Sequence, residues 1–367
     1  MARDRESVSG AKELETAKAQ VELAWSYRST GRTEEAIALL EEVVVVRERL
    51  LGPEDRDTIN LKAGLGYVYP LAGRTDEAIA LLEEVVADRE RLLGPEDPDT
   101  IDARSDLASS YESAGRTDEA IALLEEVVAD RERLLGPEDL YTIVLRTNLA
   151  FFYRSAGRTD EAIALLEEVV ADRERLLGPD DPDTIDARAS LASCYWLADR
   201  PTEAIPLQEQ VVADRERLIG PEDRDTIDAR SNLASYYESA GRTDEAIALY
   251  EHVVADRERL LGPDDPDTIN ARASLAVSYY SAGRTDEAIT LLEHVVANRE
   301  RLLGPDDPDT IDARSNLAVS YESAGRTDEA IALYEHVVAD RERLLGPDDP
   351  DTISARSNLA SCYPRCP

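Results

Sequence analysis

From residue 31 onward the apolar positions fall into one order that returns every 42 residues. In the unit opening at Gly241, Thr243 is the expected N-cap, with Asp244 and Glu245 at the positive end of a helix dipole. Ala246, Ile247, Leu249, Tyr250, Val253, Val254, Leu260 and Leu261 then recur at helical spacing and predict one apolar face. Gly262 fits a left-handed helix terminus, and Pro263 forbids continuation. Asp265-Pro266 is a cap and first-residue pair that opens a second helix, with Ile269, Leu275, Ala276 and Tyr279 turned inward up to Gly283. Each unit therefore predicts two antiparallel helices, B then A in chain order.

The phase is kept along the whole chain. Gly-Arg-Thr begins at Gly31, Gly73, Gly115, Gly157, Gly241, Gly283 and Gly325, with Asp199-Arg200-Pro201 in the missing place. Leucine holds one column from Leu23 to Leu359, tyrosine another from Tyr27 to Tyr363, and alanine a third from Ala36 to Ala330. These read as packing positions, the alanines allowing close helix approach. A repeat of this kind lets a 367-residue chain grow lengthwise without a thicker core.

The order Leu-Ala-x-x-Tyr-x-x-x-Gly-Arg, then Glu-Ala-Ile, then Leu-Gly-Pro-Asp-Asp-Pro resembles tetratricopeptide repeats, in the 42-residue form found in kinesin light chains and many bacterial regulators. The resemblance implies an all-α, right-handed superhelical solenoid of about eight repeats plus a terminal half-repeat. It implies A helices lining a concave groove that binds a peptide segment or helix, and no catalytic activity in the repeats. The expected organisation is a tail over residues 1–10, the solenoid over 11–363 and a second tail over 364–367. A polar first A helix, with Lys12, Glu13, Glu15 and Lys18, is expected to cap one end. At the other end Pro364 cuts the ninth A helix short, so an exposed apolar flank is expected there. That flank carries the alternative function, a structural protein whose copies stack end to end as a homo-oligomer.

Composition narrows the chemistry. A net charge of −37 repels a phosphate backbone and an anionic bilayer, so neither nucleic acid nor a membrane is an expected partner. No apolar run approaches the ~20 residues of a membrane span, and the start lacks a secretory signal, which points to the cytoplasm. None of Lys12, Lys18 and Lys62 follows a glycine, so there is no phosphate loop. His252, His294 and His336 share one repeat position and are better explained by duplication than as a metal site; Cys362 and Cys366 have no histidine nearby. No region combines nucleophile, base and orienter, so neither an enzyme nor a cofactor is expected.

The repeats depart from their own pattern on one face of the A helices. Typical units read Asp228, Ser231, Ser235 and Glu238 there, whereas one unit reads Val144, Thr147, Phe151 and Arg154. Trp25, Tyr67, Trp196 and Tyr280 fall on the same face, which the resemblance identifies with the groove. Exposed aromatics of this kind anchor recognition surfaces. Asn148 and Asn232 precede the constant leucine, where asparagines of related arrays grip a ligand backbone. Phe151, Arg154 and Trp196 are expected as the principal contact, and Asp102, Asp186 and Glu238 as acidic flanks favouring a basic or mixed-charge protein or peptide ligand. The competing expectation is that these aromatics fill gaps between helices tilted by Pro70 or Pro206.

Overall fold

The computed structural model describes residues 2–363, with side chains from Gly10 onward. The described residues form two compact units, residues 1–178 and 179–367. The first contains α1 (Ala2–Ser29), α2 (Thr33–Leu51), α3 (Arg56–Val68, extended by a 3-10 turn over Tyr69–Ala72), α4 (Thr75–Leu92), α5 (Pro98–Ser113), α6 (Thr117–Leu135), α7 (Leu140–Ser155) and α8 (Thr159–Leu176). The second contains α9 (Pro182–Leu197), α10 (Pro201–Leu218), α11 (Arg224–Ser239), α12 (Thr243–Leu260), α13 (Pro266–Ser281), α14 (Thr285–Leu302), α15 (Pro308–Ser323), α16 (Thr327–Leu344) and α17 (Pro350–Ser361). Odd-numbered helices are the A helices and even-numbered ones the B helices. α1 begins at Ala2, so residues 2–10 are helical where the pattern predicts a tail. Residues 364–367, including Cys366, lie outside the described residues.

The two turns of each unit are built differently. After an A helix, Gly241 takes φ 72°, and the Arg242 N–H reaches back 2.8 Å to the Tyr237 carbonyl. The chain reverses within these two residues, so Thr243 is already helical and Arg242 holds the cap position. The arginine makes no capping bond with its side chain; it pairs with Glu245 and lies 4.1 Å over the Tyr237 ring. Asp199 occupies the same turn at φ 54°, a conformation that aspartate tolerates better than most residues. After a B helix the glycine is extended rather than left-handed helical: Gly52 has φ 99° and ψ 159°, and Gly136 φ 90° and ψ 162°. This region is essentially restricted to glycine. Asp265 then caps the next helix, accepting the Asp267 N–H at 2.9 Å, with Pro266 as first residue.

The core is repeated rather than central. Around α6, Ala120, Ile121, Leu124 and Val127 meet Ile101 and Ala108 of α5 and Leu145, Leu149 and Phe152 of α7. The constant leucine thus packs on the B helix that precedes it. No helix precedes α1 among the described residues, so Leu23 is 43% exposed although Leu149 is buried. At α17, Leu359 is half-buried and Ile353 and Tyr363 are exposed. Leu260 and Leu261 are exposed, contrary to the inward direction that their spacing predicts. They line a hollow at the rim together with Ile227.

Three arginine columns staple neighbouring helices. Arg257 of α12 donates to the Asp267 carbonyl at 3.0 Å and to Asp228 of α11 at 2.6 Å, joining three consecutive helices. Arg314 of α15 joins Glu300 of α14 at 2.7 Å to Asp340 of α16 at 3.1 Å. In α3 the same place is taken by Lys62, whose ammonium is buried between Glu48 (2.6 Å) and Glu84 (2.7 Å). The third column is the turn arginine described above. Sequence alone did not distinguish these arginines from a compositional bias.

Candidate ligand-binding face

Within the first unit, α7 presents Val144, Asn148 and Phe151 to solvent, while Thr147 and Arg154 are half-buried. The reason is the fit of the opposite side: Leu145, Leu149 and Phe152 fill the core, and 144, 148 and 151 lie opposite. Phe151 is 47% exposed, meets Phe152 edge to face at 6.2 Å and carries the Arg154 guanidinium 5.0 Å over its ring. On α1 and α3, Trp25 is half-buried against Gly64, where an added Cβ would come within 3.1 Å of the indole. Arg28 lies 5.4 Å from the Trp25 ring and 5.6 Å from the Tyr67 ring, and Tyr67 is exposed. Trp25 and Tyr67 are thereby brought together around a cation that motif reading missed. The column holding Arg28 is that of Arg154, and it reads Glu112, Glu238 and Glu322 in other repeats.

Within the second unit, Trp196 stacks on Tyr236 at 5.5 Å and donates from Nε1 to Ser239 Oγ at 3.1 Å. Tyr280 makes the corresponding contact with Ser323 at 3.0 Å. Both aromatics therefore lie across the next A helix and remain partly exposed, with Asn232 exposed on α11. They serve inter-helix packing and surface at once.

The acidic flanks differ from expectation. Asp102 is held by Arg131 at 2.8 Å and Asp186 by Arg215 at 2.6 Å, so both acids belong to the staples. Glu238 is half-buried, with Oε2 enclosed. Asp106, in the asparagine column, is the acid whose charge the fold opposes. Burial and then the neighbouring Asp102 push its carboxyl up to about 6, with Arg89 pulling the other way. Tyr141, against Arg131 at 4.5 Å and beside Asp102, is pushed up to about 12, chiefly by burial. In contrast to the stapling arginines, Arg28 and Arg154 have no carboxylate among the described residues and face only aromatic rings. His252, His294 and His336 are exposed on the B helices. Among the described residues no helix is long and apolar enough to cross a membrane.

The tetratricopeptide repeat model matches residues 15–90, 57–133, 141–217, 225–301, 274–343 and 309–365. Among solved structures, a kinesin-light-chain-like protein from Podosopora anserina with nearly identical TPR-like repeats is similar at 31% identity. That match has a TM-score of 0.52 and covers 57% of this chain and 97% of that one. BtubC (BKLC) from P. vanneervenii shares the fold at 23% identity and a TM-score of 0.54, over 63% of this chain and 92% of that one. A tetratricopeptide repeat protein from Parabacteroides merdae does so at 13% identity and a TM-score of 0.55, over 83% of this chain and 98% of that one. No curated protein matches by sequence.

Proposed function

Because the chain belongs to the tetratricopeptide repeat family, with repeats of the kinesin-light-chain-like type, we propose that it is a protein-interaction scaffold whose A-helix face takes up a peptide segment or helix. The observation that carries this reading is the α7 surface. On one helix it combines an exposed phenylalanine, an exposed asparagine and an arginine without a carboxylate partner, where the corresponding positions of α11 hold Ser235, Asn232 and Glu238. Phe151 supplies the apolar anchor, Asn148 a donor and acceptor for ligand backbone, and Arg154 a cation for a carboxylate or carbonyl. Val144 extends the apolar contact. Trp25, Tyr67, Trp196, Asn232 and Tyr280 offer further stations along the A-helix faces of their own units. With Asp102 and Asp186 engaged by arginines, a mixed-charge ligand suits the face better than a uniformly basic one.

Both tryptophans of the chain are on this face, one in each unit, so intrinsic fluorescence reports occupancy. Peptides selected from a displayed library should perturb that fluorescence, and Phe151→Ser with Arg154→Ser should weaken the selected peptides tenfold or more. Unchanged affinity in the double variant would remove α7 from the site. A second reading, association of copies through α17, is favoured by exposed Ile353 and Tyr363. Sedimentation of Ile353→Gln/Tyr363→Gln against the parent tests it: a parent that is monomeric at high concentration rules it out.

A further inference from the structure

The binding reading uses the A helices and leaves one recurrent surface unexplained. Each B helix from α4 to α16 ends in two consecutive aliphatic residues, and nearly all are substantially exposed: Leu92 at 43%, Leu93 at 44%, Leu134 at 40% and Leu135 at 55% in the first unit. Leu218 and Ile219, at 43% and 50%, continue the pattern in the second unit. They line hollows of the same construction. In the first unit Leu92 and Leu93 join Ile59 around a cavity of about 200 Å³, with Arg56 and Asp99 across its mouth, 3.0 Å apart. In the second, Leu218 and Ile219 join Ile185 around one of about 130 Å³. The groove positions of these same repeats have changed to Trp, Tyr, Phe, Val and Ser, whereas this exposed pair has changed once, to Ile219. Helix termination does not require it, since the extended glycine and following proline already end each B helix.

The loops around these hollows carry more acids than bases. In the first unit the loops 52–57, 94–99 and 136–139 carry eight acids against the single base Arg56. Arg56, Arg91, Arg133 and Arg175 pair with Asp99, Glu54, Glu96 and Glu138, at 3.0, 3.1, 2.5 and 3.1 Å, which leaves the carboxylates of Asp55, Asp57, Asp97 and Asp139 without an arginine and the frame net acidic. An apolar seat in an acidic frame selects a partner whose apolar side chains are flanked by cations. A second copy of this chain, at a net charge of −37, carries the wrong sign for that frame. We propose that within each unit the edge formed by the ends of the B helices is a second docking surface, distinct from the A-helix face, and that it takes a cationic amphipathic segment of a protein partner, with Leu- or Ile-sized side chains entering the hollows.

The test uses the full chain and a labelled 18-residue amphipathic peptide of Leu and Lys, followed by anisotropy. Controls are a scrambled peptide without an apolar face and a Leu/Glu peptide of the same pattern. The Leu/Lys peptide should bind at least tenfold more tightly than either control. Leu92→Gln/Leu93→Gln/Leu134→Gln/Leu135→Gln should weaken it tenfold or more, while Phe151→Ser/Arg154→Ser leaves it unchanged. Should the quadruple variant unfold, Leu93→Gln/Leu135→Gln, at the more exposed of each pair, carries the test with a severalfold loss. Equal binding by the scrambled or Leu/Glu peptide, or undiminished binding to the folded edge variant, overturns the proposal. So does a dimer of the parent chain that the edge variant abolishes, because the occupant is then a second copy. Failure of the edge leaves the A-helix reading standing, and the Phe151/Arg154 variant separates the two.

Discussion

The seams between helices and the exposed face of the A helices are written in the same 42 residues, yet they tolerate change differently. At the seams, Arg257 reaches Asp228 and the Asp267 carbonyl, and Arg341 reaches Asp312 and the Asp351 carbonyl by the same offsets. On the face, the column of Phe151 holds Trp25, Tyr67, Ser235 and Val277 in other units. A seam residue must satisfy two neighbours at once, and burying a charge without its partner is costly. A face residue meets solvent and is free to follow a ligand. Variation within one chain therefore separates what holds the array together from what can be used.

The sharpest way to break that contrast is Arg188, 1% exposed, bonded to Asp214 at 3.1 Å and to the Pro179 carbonyl at 3.0 Å. Asp214 keeps Arg217 at 2.9 Å, so Arg188→Ala should cost about 2–5 kcal/mol through the emptied space of a large buried side chain and its lost hydrogen bonds, read as a lower melting temperature. A loss under ~1 kcal/mol, typical of exposed ion pairs, would mean the seam does not depend on its staple.

Asp106 lies between the two classes, on the face by column but half-buried. Its folded pKa, about 6, is above the ordinary value of 3.8. A raised carboxyl leaves the fold relatively more stable below the unfolded value and costs stability as pH rises through the folded value. Asp106→Asn should therefore stabilise the protein above pH ~6 by something on the order of 3 kcal/mol, and by little near pH 3.5. Melting at the two pH values checks this; an equal gain at both would assign the effect to shape rather than charge.

Tyr237 sharpens the comparison at the turn. Its hydroxyl donates to Glu209 at 2.6 Å, and Tyr237→Phe should cost about 1–2 kcal/mol for a bond to a charged group, measured by denaturant midpoint. The smallest effect is expected on the face itself. Phe151→Ser should change stability by about 0.5 kcal/mol or less, as for surface positions. A fall of several kcal/mol would return Phe151 to the core.

The helix pairs were legible because period, caps and prolines agree: Asp265-Pro266 and Gly241 each act at the predicted turn. What failed was direction at places where a neighbour decides. Leu23 carries the same letter as Leu149, but among the described residues no helix precedes α1 to cover it, and Leu260 keeps helical spacing at a rim. Thr243 is the preferred cap chemically, but the reversal at Gly241 moves the cap to Arg242. On the face, exposure of Phe151, Val144 and Asn148 was legible from one helical period. The commitment of Asp102 and Asp186 was not, because their partners lie 29 residues away on another helix. Arg28 could have been found by reading its column down the chain beside Arg154.

The staples repeat at fixed offsets, so the seam that α11 makes through Arg257 with α12 and α13 is the seam that α15 makes through Arg341 with α16 and α17. Units with equivalent seams are interchangeable. Excising or duplicating one whole 42-residue unit between such seams joins two halves that already match; the exception is α7, where Val144 replaces the aspartate and Arg173 turns to Thr147 at 3.4 Å. Loss of a fraction of a unit has no such compensation. Length in this chain is thus a discrete quantity open to unequal recombination, and lineages can lengthen or shorten the array in single steps without passing through an unfolded intermediate design.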